Sequence, residues 1–217
     1  MKIFITGGTG YVGQVLIPTL LRKGHEVLCL VRKGSKDKLK SLLDQITIIE
    51  GDVLESSSLD IKDCDAMIHL VAVIKEFPEK NITFERYNYQ SAKNMIDLAE
   101  RDGVHRFLLM SAVGNPPGIP KGYYHYKLMA EDYLKSSPLH WTILKPSLIY
   151  DQNWSGKNAG WVSLFNWSFE LGGLMPAIGD RIRQFQPISR TMIADTIGKA
   201  IENKEYIGKT LIGKDLF

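Results

Sequence analysis

Residues 6–13 read Thr6-Gly7-Gly8-Thr9-Gly10-Tyr11-Val12-Gly13, TGGTGYVG, directly after the apolar run KIFIT at 2–6. Glycines at 7, 10 and 13 allow a tight turn and remove the side chains that would keep an anion away from the backbone. Beyond the turn, Val12, Val15, Leu16, Thr19 and Leu20 recur at helical spacing. A strand, a glycine turn and a helix N-terminus in that order aim free N–H groups and the positive end of a helix dipole at one point. That arrangement suits a pyrophosphate. A strand-to-helix turn with no ligand is the plainer reading, and only the rest of the chain separates the two.

The rest of the first 150 residues alternates in the same way. EVLCLV at 26–31, ITIIEGD at 46–52, AMIHLVAV at 66–73, HRFLLMSA at 105–112 and HWTILKPSLIY at 140–150 read as strands. Residues 36–43, 84–102 and the stretch opened by GYYHYK at 122–127 read as helices between them. Continuous apolar strands separated by amphipathic helices predict an α/β fold, a doubly wound parallel sheet of the Rossmann kind covered on both faces. The alternation stops after Tyr150. The expected organisation is a dinucleotide-binding domain over 1–150 and a small C-terminal substrate-side cap over 151–217, joined in one unit. A helix over 192–203 and a strand-like TLIG close the chain.

Composition narrows the function classes. With 217 residues, 44% hydrophobic and 24% charged, the chain has the profile of a globular protein. A net charge of +3, without clustered cations beside an aromatic platform, argues against nucleic acid. The densest basic run, RKGSKDKLK at 32–40, is either a solvated loop or a local phosphate site. Two unpatterned cysteines, Cys29 and Cys64, exclude a structural zinc site by count and point to reduced thiols in the cytoplasm. No stretch has the ~18 apolar residues of a transmembrane helix, and no signal-peptide pattern is expected at MKIFITGG.

At the end of the second strand, where a carboxylate usually holds the ribose of NAD, the chain has Val31-Arg32-Lys33. A guanidinium grips a 2′-phosphate that a carboxylate would repel, so Arg32 and Lys33 predict NADPH in preference to NADH.

The spacing G-x-x-G-x-x-G, GDV at 51–53, HLVA at 69–72, the segment YNYQSAKNMIDLAERDGVHRFLLMSAVG at 87–114 and WTILKPSLIY together resemble the short-chain dehydrogenase/reductases. The likeness is to their extended and atypical branches, NAD-dependent epimerases and dehydratases among them. It implies that Gly7, Thr9, Gly10, Tyr11, Val12 and Gly13 meet the pyrophosphate. It also implies that Asp52 and Val53 meet the adenine, that Leu70, Val71 and Ala72 line the cofactor, and that Pro146 and Ser147 lie against the nicotinamide. Within GYYHYK, only Tyr123 stands four residues before Lys127, the Y-x-x-x-K spacing of the family, which places both on one helical face. The implied chemistry is acid/base catalysis by Tyr123, with Lys127 holding the nicotinamide ribose and lowering the pKa of the phenol. The family's third residue, a hydroxyl that bonds the substrate carbonyl, falls at Ala112, one residue past Ser111, the only hydroxyl in LLMSAVG. Ser111 is therefore the catalytic candidate with the weakest register, because one residue reverses a strand's face. His69 reads as a satisfied core histidine, Asn88 as structural support, and Asp195 as the cap of the closing helix.

The short C-terminal region, poor in clustered arginine, is unlike the sugar-nucleotide domain of the extended branch. It is closer to atypical members similar to the NAD(P)H-binding accessory subunit of respiratory complex I. Trp161, Leu164, Phe165, Ser168 and Phe169 are spaced as an apolar face, which fits a lid, a partner surface or core. Peripheral membrane contact is the weakest of these readings, since the Lys/Arg-rich polar face is missing. The expected function is an NADPH-dependent oxidoreductase acting on a small apolar carbonyl or quinone-like substrate. A dinucleotide-binding module with an assembly, structural or redox-sensing role is the alternative. The resemblance also implies a homodimer through the helices around 84–102 and 122–136.

Overall fold

The structure is a computed structural model, and it describes residues 1–114, 120–151 and 185–216. Seven parallel strands form the sheet: β1 (Lys2–Thr6), β2 (Glu26–Val31), β3 (Thr47–Glu50), β4 (Ala66–His69), β5 (Arg106–Met110), β6 (His140–Lys145) and β9 (Lys209–Ile212). A separate parallel pair, β7 (Ile149–Tyr150) and β8 (Ile188–Ser189), lies beside it. The long helices are α1 (Gly13–Arg22), α2 (Ser91–Asp102), α3 (Lys121–Ser136) and α4 (Arg190–Glu202). The strand order is β3-β2-β1-β4-β5-β6-β9, so the chain reverses direction across the sheet between β1 and β4. In an open α/β sheet, ligands bind in the crevice beyond the C-terminal ends of the strands at that reversal.

Alternation within β1 shows why both faces are covered. Ile3 and Ile5 point into a cluster with Leu16, Ile17 and Leu20 of α1 and with Ile193, Ile197 and Ile201 of α4. Phe4, between them, points to the opposite face and joins Met67, Met95, Ile96, Phe107 and Leu134. Phe4 and these five partners are all fully buried, as is Ala130, which joins the same cluster from α3. Cys29 and Cys64 are free, and burial pushes their thiols up to about 12 and about 11, so neither is a thiolate at neutral pH.

Several elements differ from the sequence expectation. The apolar run at 66–73 pairs only as far as His69, because the chain then leaves the sheet and passes under the glycine turn. Residues 36–42 form a kinked 3₁₀ segment rather than a regular helix. The long helix expected over 84–102 begins as a π-turn, Glu85–Gln90, before α2. That widened turn carries Asn88, whose side chain accepts from the Val73 N–H at 2.8 Å and donates to the Val73 carbonyl at 3.0 Å. Ser189, not Asp195, caps α4: its hydroxyl accepts the Met192 N–H at 3.1 Å, while Asp195 lies inside the helix. The apolar face expected over 161–169 lies outside the described residues.

Arg106 ties three of these elements together. Its buried guanidinium donates to the carbonyl of His140 (2.6 Å), to Thr142 Oγ1 (2.8 Å) and to the carbonyl of Ala200 in the last turn of α4 (2.5 Å). Replacing Arg106 by Met should lower unfolding stability by roughly 3 kcal/mol, since each orphaned buried acceptor costs about 1 kcal/mol. Urea denaturation at pH 7 measures it, and a loss under about 1 kcal/mol would mean that water replaces the guanidinium.

Candidate functional site

The predicted residues fall mostly at the C-terminal ends of the parallel strands, after β1, β2, β3, β4, β5 and β6 in turn. Gly7, with φ +81°, ends β1 in a conformation that favours glycine. A Cβ placed on it would sit 3.1 Å from the backbone of Leu70 and Val71, so the turn rests directly on the chain leaving β4. The Gly10 N–H donates to the Gly7 carbonyl at 2.9 Å. A Cβ on Gly10 would lie 3.0 Å from that carbonyl oxygen, and one on Gly13 only 2.5 Å from it and from the Gly8 backbone. Three close approaches of backbone to backbone make a cradle that side chains would fill.

Above the cradle, α1 starts at Gly13 after Val12, with no side chain capping it. The amides of Tyr11, Val12 and Gly13 make no backbone hydrogen bond with a described residue. A tight glycine turn open to solvent at Gly10 and Tyr11, a positive helix end and uncapped donors fit the pyrophosphate of a dinucleotide. The Thr9 carbonyl accepts from the Gln14 side chain at 3.1 Å, which closes the turn from outside. Tyr11 is exposed, and the Arg190 guanidinium lies 5.2 Å from its ring centre while pairing with Asp151 at 2.6 Å.

Further candidate residues follow the C-terminal ends of the neighbouring strands. Arg32 and Lys33 are exposed in a turn after β2, closed by the Ser35 N–H donating to the Arg32 carbonyl at 2.9 Å. Asp52 is a turn residue: its carboxylate accepts the Leu54 N–H at 2.9 Å. Val53 is buried, and its carbonyl accepts from the Asn94 side chain at 3.1 Å. Leu70 is buried while Val71 and Ala72 are partly open. Pro146 accepts the Val113 N–H at 3.0 Å, and the Ser147 hydroxyl donates to the Gln186 carbonyl at 2.5 Å.

Tyr123 and Lys127 sit one turn apart on α3. Lys127 is buried, and its ammonium donates to the Met110 carbonyl, at the end of β5, at 2.8 Å. Burial lowers the Lys127 pKa to about 8, against a smaller opposing pull from Glu131. Tyr123 is half-buried, edge-on to Phe84 with ring centres 5.9 Å apart, and burial pushes its phenol above the usual range. The lowering of the phenol's pKa that the family resemblance implies needs the positive charge of an oxidised nicotinamide beside Lys127, and in the protein alone desolvation raises it.

Ser111 is placed differently from the other candidates. Its hydroxyl is buried and donates to Glu131 Oε1 at 2.5 Å, so it faces α3 and not an open crevice. Glu131 is itself buried and pairs with Lys145 on β6, at 2.8 Å through Oε1. Glu131 was missed from the sequence. Its signal was an acidic residue four positions after Lys127, on a face whose other members, Ala130 and Leu134, are apolar. His69 is buried, with Nδ1 2.7 Å from the Thr6 hydroxyl and Nε2 3.3 Å from that of Ser91.

Comparison with known proteins agrees with this geometry. A family profile described as NAD(P)H-binding matches residues 7–163. The chain is 26% identical over 222 residues to the mitochondrial NADH dehydrogenase [ubiquinone] 1 alpha subcomplex subunit 9 of Arabidopsis thaliana, covering 98% of this chain and 54% of that protein. It is 30% identical over 118 residues to a 3-beta-hydroxysteroid dehydrogenase of Mycolicibacterium neoaurum, covering 49% of this chain and 31% of that one. The chain thus spans about half the length of the first relative and about a third of the second. Among solved structures, the UDP-glucuronic acid 4-epimerase of Bacillus cereus in complex with NAD shares the fold, with TM-score 0.70 at 18% identity over 99% of this chain and 78% of that one.

Proposed function

The chain belongs to the NAD(P)H-binding family, of the extended short-chain dehydrogenase/reductase kind, and from that premise we propose that it is an NADPH-preferring oxidoreductase. Its substrate is a small apolar carbonyl or quinone-like compound, and its place of action is the cytoplasm. The observation that carries the reading is the buried Lys127 one helical turn from Tyr123, beside a glycine cradle at the strand reversal.

In this reading the amides after Gly10 hold the pyrophosphate, and Arg32 with Lys33 holds the 2′-phosphate. Asp52 and Val53 border the adenine, while Leu70, Val71, Ala72, Pro146 and Ser147 line the nicotinamide side. The dinucleotide, when bound, supplies the hydride. Lys127, which gives one N–H to the Met110 carbonyl, would hold the nicotinamide ribose with its remaining donors. Tyr123, whose buried phenol keeps its proton at neutral pH, donates that proton to the carbonyl oxygen of the substrate.

One observation favours a second reading, a dinucleotide-binding module without turnover. Ser111 gives its hydroxyl to Glu131, so the side-chain donor that would polarise a substrate carbonyl is engaged elsewhere. Losing one such donor typically costs on the order of 10²–10³ in rate.

The test is fluorescence titration with NADPH and NADH, followed by a panel of carbonyls and quinones. NADPH should bind at least ~10-fold more tightly than NADH, and Arg32→Ala should remove most of that difference. Oxidation of NADPH by a panel member would establish the reductase. Tight binding without turnover would favour the binding module, and no binding of either nucleotide would overturn both.

A further inference from the structure

Glu131, Lys145 and Ser111 form a buried polar cluster that the reaction above does not use. Glu131 Oε1 accepts from Ser111 Oγ at 2.5 Å and lies 2.8 Å from Lys145 Nζ, while Oε2 is 2.9 Å from the same ammonium. Lys135, one turn further along α3 and partly exposed, approaches Oε2 at 3.7 Å. The Lys145 ammonium also lies 5.6 Å from the centre of the Tyr124 ring. A carboxylate inside a core is tolerated only when paired and hydrogen-bonded, and this one is both.

What the cluster fixes is the seat of Lys127. Ser111 follows Met110, whose carbonyl accepts from Lys127, and the Ser111 N–H donates to the Leu144 carbonyl at 2.7 Å. Lys145 follows Leu144. Glu131 therefore grips Ser111, just beyond the end of β5, and Lys145, the last residue of β6, one helical turn from the ammonium whose acceptor is the final carbonyl of β5.

We propose that Glu131 is a positioning residue for the Tyr123/Lys127 pair: it locks the ends of β5 and β6 to α3 and sets how much positive charge Lys127 keeps. The inference rests on the reading above only in that Lys127 serves the nucleotide site. Ser111 is, on this account, a ligand of Glu131 and not a donor to substrate.

The charge arithmetic gives the inference a signature. Lys127 interacts with Glu131 and carries Tyr123 on its own helix, and it acts on His69 of β4. Glu131 in turn is paired with the buried Lys145 of β6 and approached by the partly exposed Lys135, with Tyr124 against Lys145. Two buried ammonium groups thus share one buried carboxylate. Desolvation already disfavours the Lys127 charge, and Glu131 is the group that opposes it. Removing the carboxylate leaves two unbalanced cations, so Lys127 must release its proton more readily. Removing Lys145 instead frees the carboxylate for Lys127, which must then hold its proton more tightly. A cluster that only packs the core would not move this titration in opposite directions.

The experiment follows the Lys127 ε-carbon by NMR in nucleotide-free, ¹³C-lysine-labelled protein between pH 6 and 11, the signal being assigned by its absence in Lys127→Arg. The wild-type midpoint should lie near pH 8. Glu131→Gln should move it down and Lys145→Met up, each by roughly one pH unit. Glu131→Gln with Lys145→Met should return it toward the wild-type value and serves where a single variant does not fold. Midpoints unmoved, or moved in the same direction by both changes, would overturn the proposal. Because no nucleotide is present, failure here is distinct from failure of the nucleotide titration.

Discussion

Gly13→Ala is expected to weaken binding of NADPH and NADH by ~100-fold or more, about 2.7 kcal/mol, and to lower unfolding stability by 1–3 kcal/mol, the usual range for overpacking. The reason is spatial and not conformational. An alanine Cβ there would lie 2.5 Å from the Gly7 carbonyl oxygen and from Gly8 Cα, both backbone atoms that cannot swing aside. The turn must open, which separates the uncapped amides at the start of α1 from the chain leaving β4. Gly10→Ala is the graded control, since its Cβ would meet only the Gly7 oxygen, at 3.0 Å. Its effect should fall between wild type and Gly13→Ala. Fluorescence titration of both variants, with thermal unfolding alongside, measures the pair. Gly13→Ala binding within ~3-fold of wild type would mean that the cradle does not hold the nucleotide.

The second large effect is acid sensitivity, and it comes from His69. Burial, with a smaller contribution from the Lys127 charge, lowers the imidazole from its ordinary 6.5 to about 3. The folded chain therefore keeps His69 neutral where the unfolded chain protonates it. Stability from this group is complete above pH 6.5 and is lost as pH falls from 6.5 toward 3. The slope is up to ~1.4 kcal/mol per pH unit, or about 2.5–3 kcal/mol by pH 4.5. His69→Asn should be less stable at pH 7.5, having lost the partner of Thr6 and Ser91, yet should show a shallower decline. Urea denaturation at pH 7.5, 5.5 and 4.5 compares the two slopes. Parallel slopes would show that the acid loss arises elsewhere.

The features legible in the sequence were those set by local pattern. TGGTGYVG directly follows a strand, and every glycine in it that was singled out proves to lie against backbone. Alternating apolar strands and helices gave the parallel sheet, since a strand buried on both faces has little choice of composition. The helical spacing of Tyr123 and Lys127 likewise needed nothing beyond the chain itself.

Features that depend on how elements meet were not legible. The direction of the Ser111 hydroxyl depends on β5 ending at Met110 and on which turn of α3 lies over it. The burial of Glu131 depends on Lys145, which reaches it from a strand and not from its own helix. Leu70 and Val71 were read as a continuing strand because they are apolar, but their apolarity comes from lying beneath Gly7.

The edge strand β9 has a consequence for synthesis. It pairs with β6 in parallel, Thr142 opposite Lys209 and Lys145 opposite Ile212, although about 60 residues separate the two strands. While the ribosome adds those residues, an interval of several seconds, β6 presents an unzipped row of amides and carbonyls. The Thr142 hydroxyl, buried in the finished fold, has yet to meet its acceptor, the carbonyl of Tyr206. A nascent chain in that interval carries an adhesive border along a six-residue strand, and the arrival of β9 moves that border onto a four-residue strand that opens with Lys209, a shorter and charged selvedge that neighbouring copies find harder to stitch onto.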